Sequence, residues 1–127
     1  QMIEEKVWGR VHHVVMSPKL MVSVLEVNAG TFCSVHRHHY RVNQFKVVSG
    51  QIRIARFGWD DKGPSKDPYS YAVLRPGDEM CVPELEWHQF IVDQDGVVIE
   101  VYHPAAEGDE VRLDDIERHS LGGVQAV

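Results

Sequence analysis

The sequence predicts an all-β protein formed by a single domain, residues 1–127, and three observations support this. Short segments rich in apolar and β-branched residues recur along the chain. Clusters of glycine, proline, asparagine and aspartate separate these segments. Only residues 113–119 have a helical pattern, and it is long enough for only one or two turns. Many short strands at regular spacing are typical of a β-sandwich or a small barrel.

The predicted strands follow one another with turn signals between them. They cover residues 20–27, 45–48, 52–57, 71–74, 79–83, 88–92 and 97–102. The turn signals are Asn28-Ala29-Gly30, Ser49-Gly50, Gly63-Pro64, Pro76-Gly77 and Asp93-Gln94-Asp95-Gly96. Residues 58–68 predict a surface loop. We find no internal repeat and no sign of a second domain.

Composition argues against two classes of partner. The net charge is −6, and no run of lysine and arginine exceeds two residues, so the sequence predicts no nucleic-acid surface. No apolar run approaches the roughly 18 residues needed to cross a membrane, and no signal-peptide pattern opens the chain. Cys33 and Cys81 both lie in strand-like segments, and we expect two buried free thiols in a cytoplasmic protein.

The segment HRHHYRVNQF, residues 36–45, concentrates groups that can bind a metal ion. Residues i and i+2 of a strand share a face, so His36 and His38 can converge on one ion while His39 points away. Either Asn43 or Gln44 could add an amide oxygen. The two have opposite parity along the strand, and we favour Asn43. The alternative is a solvated turn that happens to contain histidines.

The histidines belong to a two-part spacing pattern. The first part reads Gly30-x5-His36-x-His38-x4-Asn43-x6-Gly50, and the second reads Gly77-x5-Pro83-x-Leu85-x2-His88-x3-Val92. This frame resembles the two motifs of the cupin superfamily, G-x5-H-x-H-x3/4-E-x6-G and G-x5-P-x-G-x2-H-x3-N. Asn43, Leu85 and Val92 replace the glutamate, the second glycine and the final asparagine. The resemblance implies a double-stranded β-helix, the cupin or jelly-roll barrel, with a short C-terminal helical segment.

Three further stretches are similar to the type II mannose-6-phosphate isomerases, the sugar-phosphate cupins. They are EKVWGRV near the N-terminus, HHYRVNQFKVVSG in the middle, and IEVYHPAAEGDEVRLDDIERHSLGG towards the C-terminus. Together they cover nearly the whole chain. The replacement of glutamate by Asn43 is the main departure, because that acid is normally a metal ligand in the family.

The resemblance implies a metal site formed by His36, His38, Asn43 and His88. Three imidazoles and one amide oxygen form a neutral ligand set, suited to a divalent transition metal such as Zn, Fe, Ni or Mn. An amide is a weaker ligand than a carboxylate, so a pocket with hydrogen-bonded histidines and no metal is the alternative.

Residues around this site are candidates for substrate binding. Arg41 could hold a phosphate or carboxylate, and its alternative role is a surface ion pair. Arg118 lies in the C-terminal segment that, by resemblance, closes against the barrel; the alternative is a short helix capped by Asp114 or Asp115. Phe45 and Phe90 should face inward beside the metal.

Three residues are candidates for proton transfer. Glu100 and Glu86 are the nearest acids, and each could instead be an ordinary carboxylate at the rim. His103 follows Glu100 closely in the chain and could reach the mouth of the barrel.

Three functions fit these residues. The first is a metal-dependent isomerase or epimerase of a sugar or sugar phosphate, similar to mannose-6-phosphate isomerase. The second is an Fe-dependent oxygenase or a lyase on the same fold. The third is a cupin that binds a small molecule, such as a sugar, without turnover. The resemblance also implies a homodimer, for which the strand around residues 7–15 could serve.

Overall fold

The computed structural model describes residues 2–126, which form an antiparallel β-structure curled around one core. The strands are β1 (Met2–Lys6), β2 (Gly9–Ser17), β3 (Leu20–Val27), β4 (Thr31–Phe32), β5 (His36–His38), β6 (Arg41–Phe57), β7 (Trp59–Asp60), β8 (Gly63–Pro64), β9 (Ser70–Leu74), β10 (Glu79–Val82), β11 (Trp87–Pro104), β12 (Ile116–Arg118) and β13 (Gly123–Val124). A single 3₁₀ turn, Leu113–Asp115, precedes β12.

Two long strands, β6 and β11, form the spine of the fold and pair with each other along most of their lengths. Near its middle, each strand changes its outer partner. The first part of β6 pairs with β10 and its second part with β9. The first part of β11 pairs with β4 and β5, and its second part with β3. The spine therefore belongs to two sheet halves, and this arrangement curls the sheet around its core.

The change of partner occurs at a corner marked by Gly50 and Gly96. The ladder between β6 and β11 shifts register between Val92 and Val98. Gly50 has a φ of +77°, and a side chain there would approach the backbone oxygen of Asp95 to 2.4 Å. A side chain at Gly96 would approach the backbone oxygen of Ser49 to 2.0 Å. Only glycine allows the two strands to cross this closely.

The core lies between the two halves. Alternation along the strands directs apolar side chains inward. The main cluster draws on both halves and contains Trp8, Val11, Leu25, Val27, Cys33, Phe45, Val47, Ile52, Ile54, Leu74, Val82, Phe90, Val92 and Val98. A smaller cluster joins Val35, Ala55, Phe57 and Trp87.

The structure corrects three sequence predictions. The predicted strands at 45–48 and 52–57 are one strand, as are those at 88–92 and 97–102, because the intervening turn signals mark a corner within a continuous ladder. The predicted helix at 113–119 is a 3₁₀ turn followed by β12, since strand pairing with β5 overrides the local helical pattern. Cys33 is buried but Cys81 is exposed; both thiols are free. Within residues 2–126 no helix has the length and apolar character needed to span a membrane.

Candidate metal centre

Three buried histidines meet inside the barrel. His36 and His38 come from β5 and His88 from β11, and one ring nitrogen of each lies within 4.8 Å of those of the other two. His36 faces His88 directly across the antiparallel ladder. The alternation of β5 buries His36 and His38 and leaves Arg37 half-buried on the other face. The structure thus brings together the three histidines selected from the sequence.

The second nitrogen of two of these rings is held by the backbone. Nδ1 of His36 donates to the carbonyl oxygen of Ser34 at 2.8 Å. Nδ1 of His88 donates to the carbonyl oxygen of Glu86 at 2.9 Å. Donation from Nδ1 leaves the lone pair of Nε2 free and orients the ring, as in histidines that bind metals.

Buried atoms at the centre lack partners. Nε2 of His38, Nε2 of His88 and Oδ1 of Asn43 have no hydrogen bond from any part of the chain that the structure describes. An unpaired buried polar atom costs about 1–3 kcal/mol. The amide oxygen and an imidazole nitrogen that carries no proton are electron-pair donors, so a cation is the group that satisfies them together.

The protein environment keeps the three rings neutral. Burial lowers the pKa of His88 to about 3. Burial, together with the neighbouring His88 and His38, holds the pKa of His36 well below its ordinary value. Burial also lowers the pKa of His38, although Asp115 opposes this effect. Neutral imidazole is the form that binds a metal ion.

Asn43 is better placed than Gln44 to complete the site. Asn43 is 1% exposed, and its Nδ2 donates to Oε2 of Glu100 at 3.3 Å, which leaves Oδ1 as the free acceptor. Gln44 lies on the exposed face, 3.5 Å from the imidazole of His103. The role of Asn43 as a fourth ligand stays a prediction.

The loop before β11 positions two of the histidines. The backbone N–H of Leu85 donates to the carbonyl oxygen of His38 at 2.7 Å. The backbone carbonyl oxygen of Glu86 accepts the hydrogen bond from Nδ1 of His88. Leu85 has a φ of +65°, a conformation that glycine adopts without strain. Leucine therefore occupies a position whose backbone conformation favours glycine.

A cavity of about 430 Å³ lies beside the centre. Its polar lining includes Glu4, Lys6, His13, Ser34, His36, Arg41, Glu100, Tyr102 and Arg118. Its apolar lining includes Trp8, Val11, Phe45 and Phe90. The inward position predicted for Phe45 and Phe90 is therefore what the structure has. A small polar molecule would contact aromatic walls and hydrogen-bonding groups there.

Glu100 is one of two acids that line this cavity, and the other is Glu4. Burial raises the pKa of its carboxyl group, while hydrogen bonds from Tyr102 and Asn43 and the charge of Arg41 act in the opposite direction. Burial and the nearby Glu100 hold the pKa of Tyr102 well above its ordinary value. Tyr102 therefore remains a hydroxyl donor, and Glu100 is the group able to gain or lose a proton.

Arg41 forms a buried ion pair rather than the surface pair considered from the sequence. It is 4% exposed, its Nε lies 2.9 Å from Oδ1 of Asp115, and its guanidinium carbon lies 4.2 Å from the centre of the Tyr102 ring. Hydrogen bonding to His38 and the charge of Arg41 hold the pKa of Asp115 low despite its burial. Arg41 lines the cavity, and the carboxylate of Asp115 already balances its charge.

Two candidate residues for proton transfer lie away from the cavity. The carboxylate of Glu86 accepts from the hydroxyl of Tyr69 at 2.5 Å and lies 3.7 Å from Nε of Arg56. His103 bonds with Gln44 and with the carbonyl oxygen of Pro104. Neither lines the cavity: Glu86 lies in the loop before β11, and His103 lies on β11 next to the exposed Gln44.

The sequence analysis missed Asp115 and Tyr102 as site residues. Asp115 contacts the site from about 75 residues beyond His38, and it was considered only as a helix cap. Tyr102 was not singled out, although it shares its strand face with Glu100 two residues before it. That parity was the available signal.

Comparisons with known proteins identify the fold. No family model matches the sequence, and no curated protein matches it. Among solved structures, an RmlC-like cupin from Shewanella frigidimarina superposes with a TM-score of 0.66 at 22% identity, covering 84% of this chain and 86% of that one. A Streptomyces PAC13 variant with uridine gives 0.71 at 13% identity, covering 94% and 84%. Oxalate decarboxylase from Bacillus subtilis gives 0.64 at 16% identity, covering 88% of this chain and 30% of that one.

Proposed function

We propose that this protein, a single domain of the cupin fold, is a metal-dependent enzyme that acts on a small sugar or sugar phosphate by isomerase- or epimerase-type proton transfer. One observation carries the proposal. Three neutral, buried imidazoles converge, and buried donor atoms among them have no partner in residues 2–126. Such a centre costs stability without a ligand and is therefore explained best by one.

A divalent transition metal fits the donors. We propose His36, His38 and His88 as ligands through Nε2, with Oδ1 of Asn43 as the fourth. When bound, the ion would supply Lewis acidity, which polarises carbonyl and hydroxyl oxygens of a substrate.

Glu100 is the proton-transfer group in this proposal. It lines the cavity, burial raises its pKa, and Asn43 and Tyr102 hold its carboxylate through hydrogen bonds. A carboxylate with a raised pKa is a stronger base than an ordinary carboxylate, and the acid it forms can return the proton. Glu86 and His103, which bond elsewhere, are weaker candidates for this role.

Arg118 is the better candidate for contact with a substrate anion. Arg41 is neutralised by Asp115. Arg118 lines the cavity, and within residues 2–126 no carboxylate oxygen lies within 4.0 Å of its guanidinium nitrogens. A phosphate could therefore pair with Arg118 without breaking an existing ion pair.

Binding without turnover is the second candidate function. The observation that favours it is Asn43, which stands where the resembled motif has an acid. Among the residues that the structure describes, this leaves Glu100 and Glu4 as the carboxylates that line the cavity. The same three histidines could also hold iron in an Fe-dependent oxygenase or lyase. The identity of the bound metal would separate that enzyme from an isomerase.

Metal content is the first test of the centre. Elemental mass spectrometry of the purified protein, before and after reconstitution, should find close to one transition metal per chain. The His36→Ala/His38→Ala double variant should lose it. The matched control is His12→Ala/His103→Ala, which removes two imidazoles that bond outside both the centre and the C-terminal segment. A wild-type protein that takes up no metal after reconstitution would contradict the proposal.

Exchange with solvent tests the chemistry. We would incubate the metal-loaded protein in ²H₂O with aldoses and hexose 6-phosphates and follow loss of the C2 proton by NMR. Exchange should occur in the wild type, fall by about 10²–10⁴-fold in Glu100→Gln and persist in Glu86→Gln. Saturable binding without exchange would favour the non-catalytic function.

The homodimer and the cytoplasmic location stay predictions. The β1–β2 hairpin, which contains the expected pairing strand, exposes Val7, Val14, Val15 and Met16. Sedimentation of the purified protein would determine whether this apolar surface pairs two chains.

A further inference from the structure

We propose that Asp115 is a positioning residue for His38, and that metal binding and docking of the C-terminal segment, residues 111–124, are therefore coupled. The inference rests on the proposed metal centre and adds to it a residue from a distant part of the chain. It concerns how the centre is assembled rather than which reaction it catalyses.

The strand that carries two of the histidines depends on the C-terminal segment for its ladder. All three residues of β5 pair with β12: His36 lies opposite Arg118, Arg37 opposite Glu117, and His38 opposite Ile116. On its other side, β5 pairs with β11 at one position, His36 opposite His88. Removing β12 would therefore leave His38 with little strand support.

The C-terminal segment pairs with β5 and β4 but buries few side chains. Beyond the buried Val111, Asp115 is its one buried residue among those that the structure describes up to 126. Backbone hydrogen bonds join Val111 to Pro18 at 2.7 Å and His119 to Val35 at 2.8 Å. A segment with few buried side chains opens at low free-energy cost, so added interactions at Asp115 should change its opening measurably.

Asp115, Arg41 and His38 form a three-way contact. The Nε–H of Arg41 donates to Nδ1 of His38 at 3.0 Å. Oδ1 of Asp115 lies 2.9 Å from the same Nε and 3.5 Å from Nδ1 of His38. Oδ2 of Asp115 accepts the backbone N–H of Tyr40 at 3.1 Å. Oδ1 has no partner with hydrogen-bond geometry in residues 2–126, and neither has Nε2 of His38.

One arrangement of protons satisfies both of these atoms. To bind a metal through Nε2, His38 must carry its proton on Nδ1, and that N–H then needs an acceptor. The Nε–H of Arg41, which now donates to Nδ1 of His38, must then turn to Oδ1 of Asp115. Because arginine can only donate, Oδ1 is the acceptor for both His38 and Arg41. The metal ion takes the lone pair of Nε2. Asp115 thus selects the ring tautomer that a metal requires.

Coupling between the two events is reciprocal by thermodynamic necessity. If the docked segment strengthens metal binding, bound metal must favour the docked segment by the same factor. A role for Asp115 in general stability alone would lower the stability of the metal-free protein and leave the metal affinity of the folded protein unchanged.

Hydrogen exchange of the wild-type protein tests the coupling without any variant. We would compare amide exchange with and without Zn²⁺ at Val111 and His119, which are anchored in the C-terminal segment. Gly77, which bonds to Val47 in a turn at another part of the barrel, is the reference. Zn²⁺ should slow exchange at the two C-terminal sites severalfold and leave Gly77 unchanged. Zinc binding without this protection would overturn the coupling.

A matched pair of variants tests Asp115 itself. Asp115→Asn removes the acceptor, whereas Asp114→Asn removes a neighbouring exposed carboxylate that lies 3.6 Å from Nε of Arg112. Competition with a chromophoric chelator should show Zn²⁺ affinity reduced about 10–100-fold by Asp115→Asn and unchanged by Asp114→Asn. The visible absorption of bound Co²⁺ should change in Asp115→Asn alone, because it reports the ligand set.

The outcomes separate this inference from the proposed function. Zinc binding that is equally tight in the wild type and in folded Asp115→Asn overturns the positioning role and leaves the metal centre standing. Failure of the wild type to bind Zn²⁺ and Co²⁺ overturns both. If Asp115→Asn does not fold, the exchange measurement on the wild type decides.

Discussion

The interior near the strand corner and the interior around the histidines share the strands β6 and β11 but contain opposite chemistry. Beside the corner, β6 contributes Val47 and Ile52 and β11 contributes Val92 and Val98, all at most 1% exposed. Away from the corner β6 contributes Asn43 and β11 contributes His88, and the short strand β5 adds His36 and His38. At the corner these buried side chains are apolar and need no hydrogen-bond partner. At the centre it leaves polar atoms unpaired, so packing alone does not explain those residues.

Shortening an apolar side chain at the corner should have the largest effect on stability. Ile52→Ala should lower the free energy of unfolding by about 2–5 kcal/mol, because it removes buried methyl groups and leaves a cavity. The control is Val48→Ala, on the same strand but 51% exposed, which should change stability by less than about 1 kcal/mol. Denaturant unfolding of the metal-free proteins measures both. Equal effects would mean that the corner is not the stabilising part of the core.

The histidine centre should make the metal-free protein sensitive to acid. His88 has a folded pKa of about 3, whereas the unfolded chain has a histidine pKa of about 6.5, so below pH 6.5 the unfolded state binds a proton that the folded state does not. Stability should be complete above pH 6.5 and fall towards pH 3. The slope is about 1.4 kcal/mol per pH unit for each such histidine. His36 and His38 shift in the same direction. Unfolding measured from pH 7.5 to 4.5 tests this, and a flat profile would contradict it.

Replacing a histidine by an apolar ring should separate stability from metal binding. His88→Phe removes the unpaired Nε2 but also the hydrogen bond to Glu86, so the metal-free stability at pH 7.5 should change by only about 1 kcal/mol in either direction. Metal binding should be lost. The dependence of stability on pH should also weaken, because one histidine fewer takes up a proton on unfolding. Calorimetry with Zn²⁺ and unfolding curves measure the two effects. A large loss of stability would show that the imidazole is needed for packing.

The local pattern of the chain was a reliable guide to elements and faces. Period-two alternation predicted that His36 and His38 share the inner face and that Phe45 and Phe90 point inward, and the structure has them so. The glycine signals at Gly50 and Gly96 were recognised but interpreted as turns. A glycine required for a turn and one required for a close crossing of strands look the same in sequence.

Long-range contacts were beyond the reach of sequence patterns. Glu86 and Glu100 were equal candidates in sequence, yet one bonds to Tyr69 and the other lines the cavity. Arg41 and Asp115 form a buried pair although 74 positions separate them. No local propensity encodes such a pairing.

The sequence by itself determined the strand-rich architecture, the spacing of the three histidines and the side of each strand that they occupy, because these follow from the two-residue period of a β-strand and from residue chemistry. Only the tertiary structure decided which polar groups share the cavity, which acid can serve the histidines and where the C-terminal segment attaches. Those choices depend on register across the curled sheet, and register is determined by the packing of the whole core rather than by any one segment.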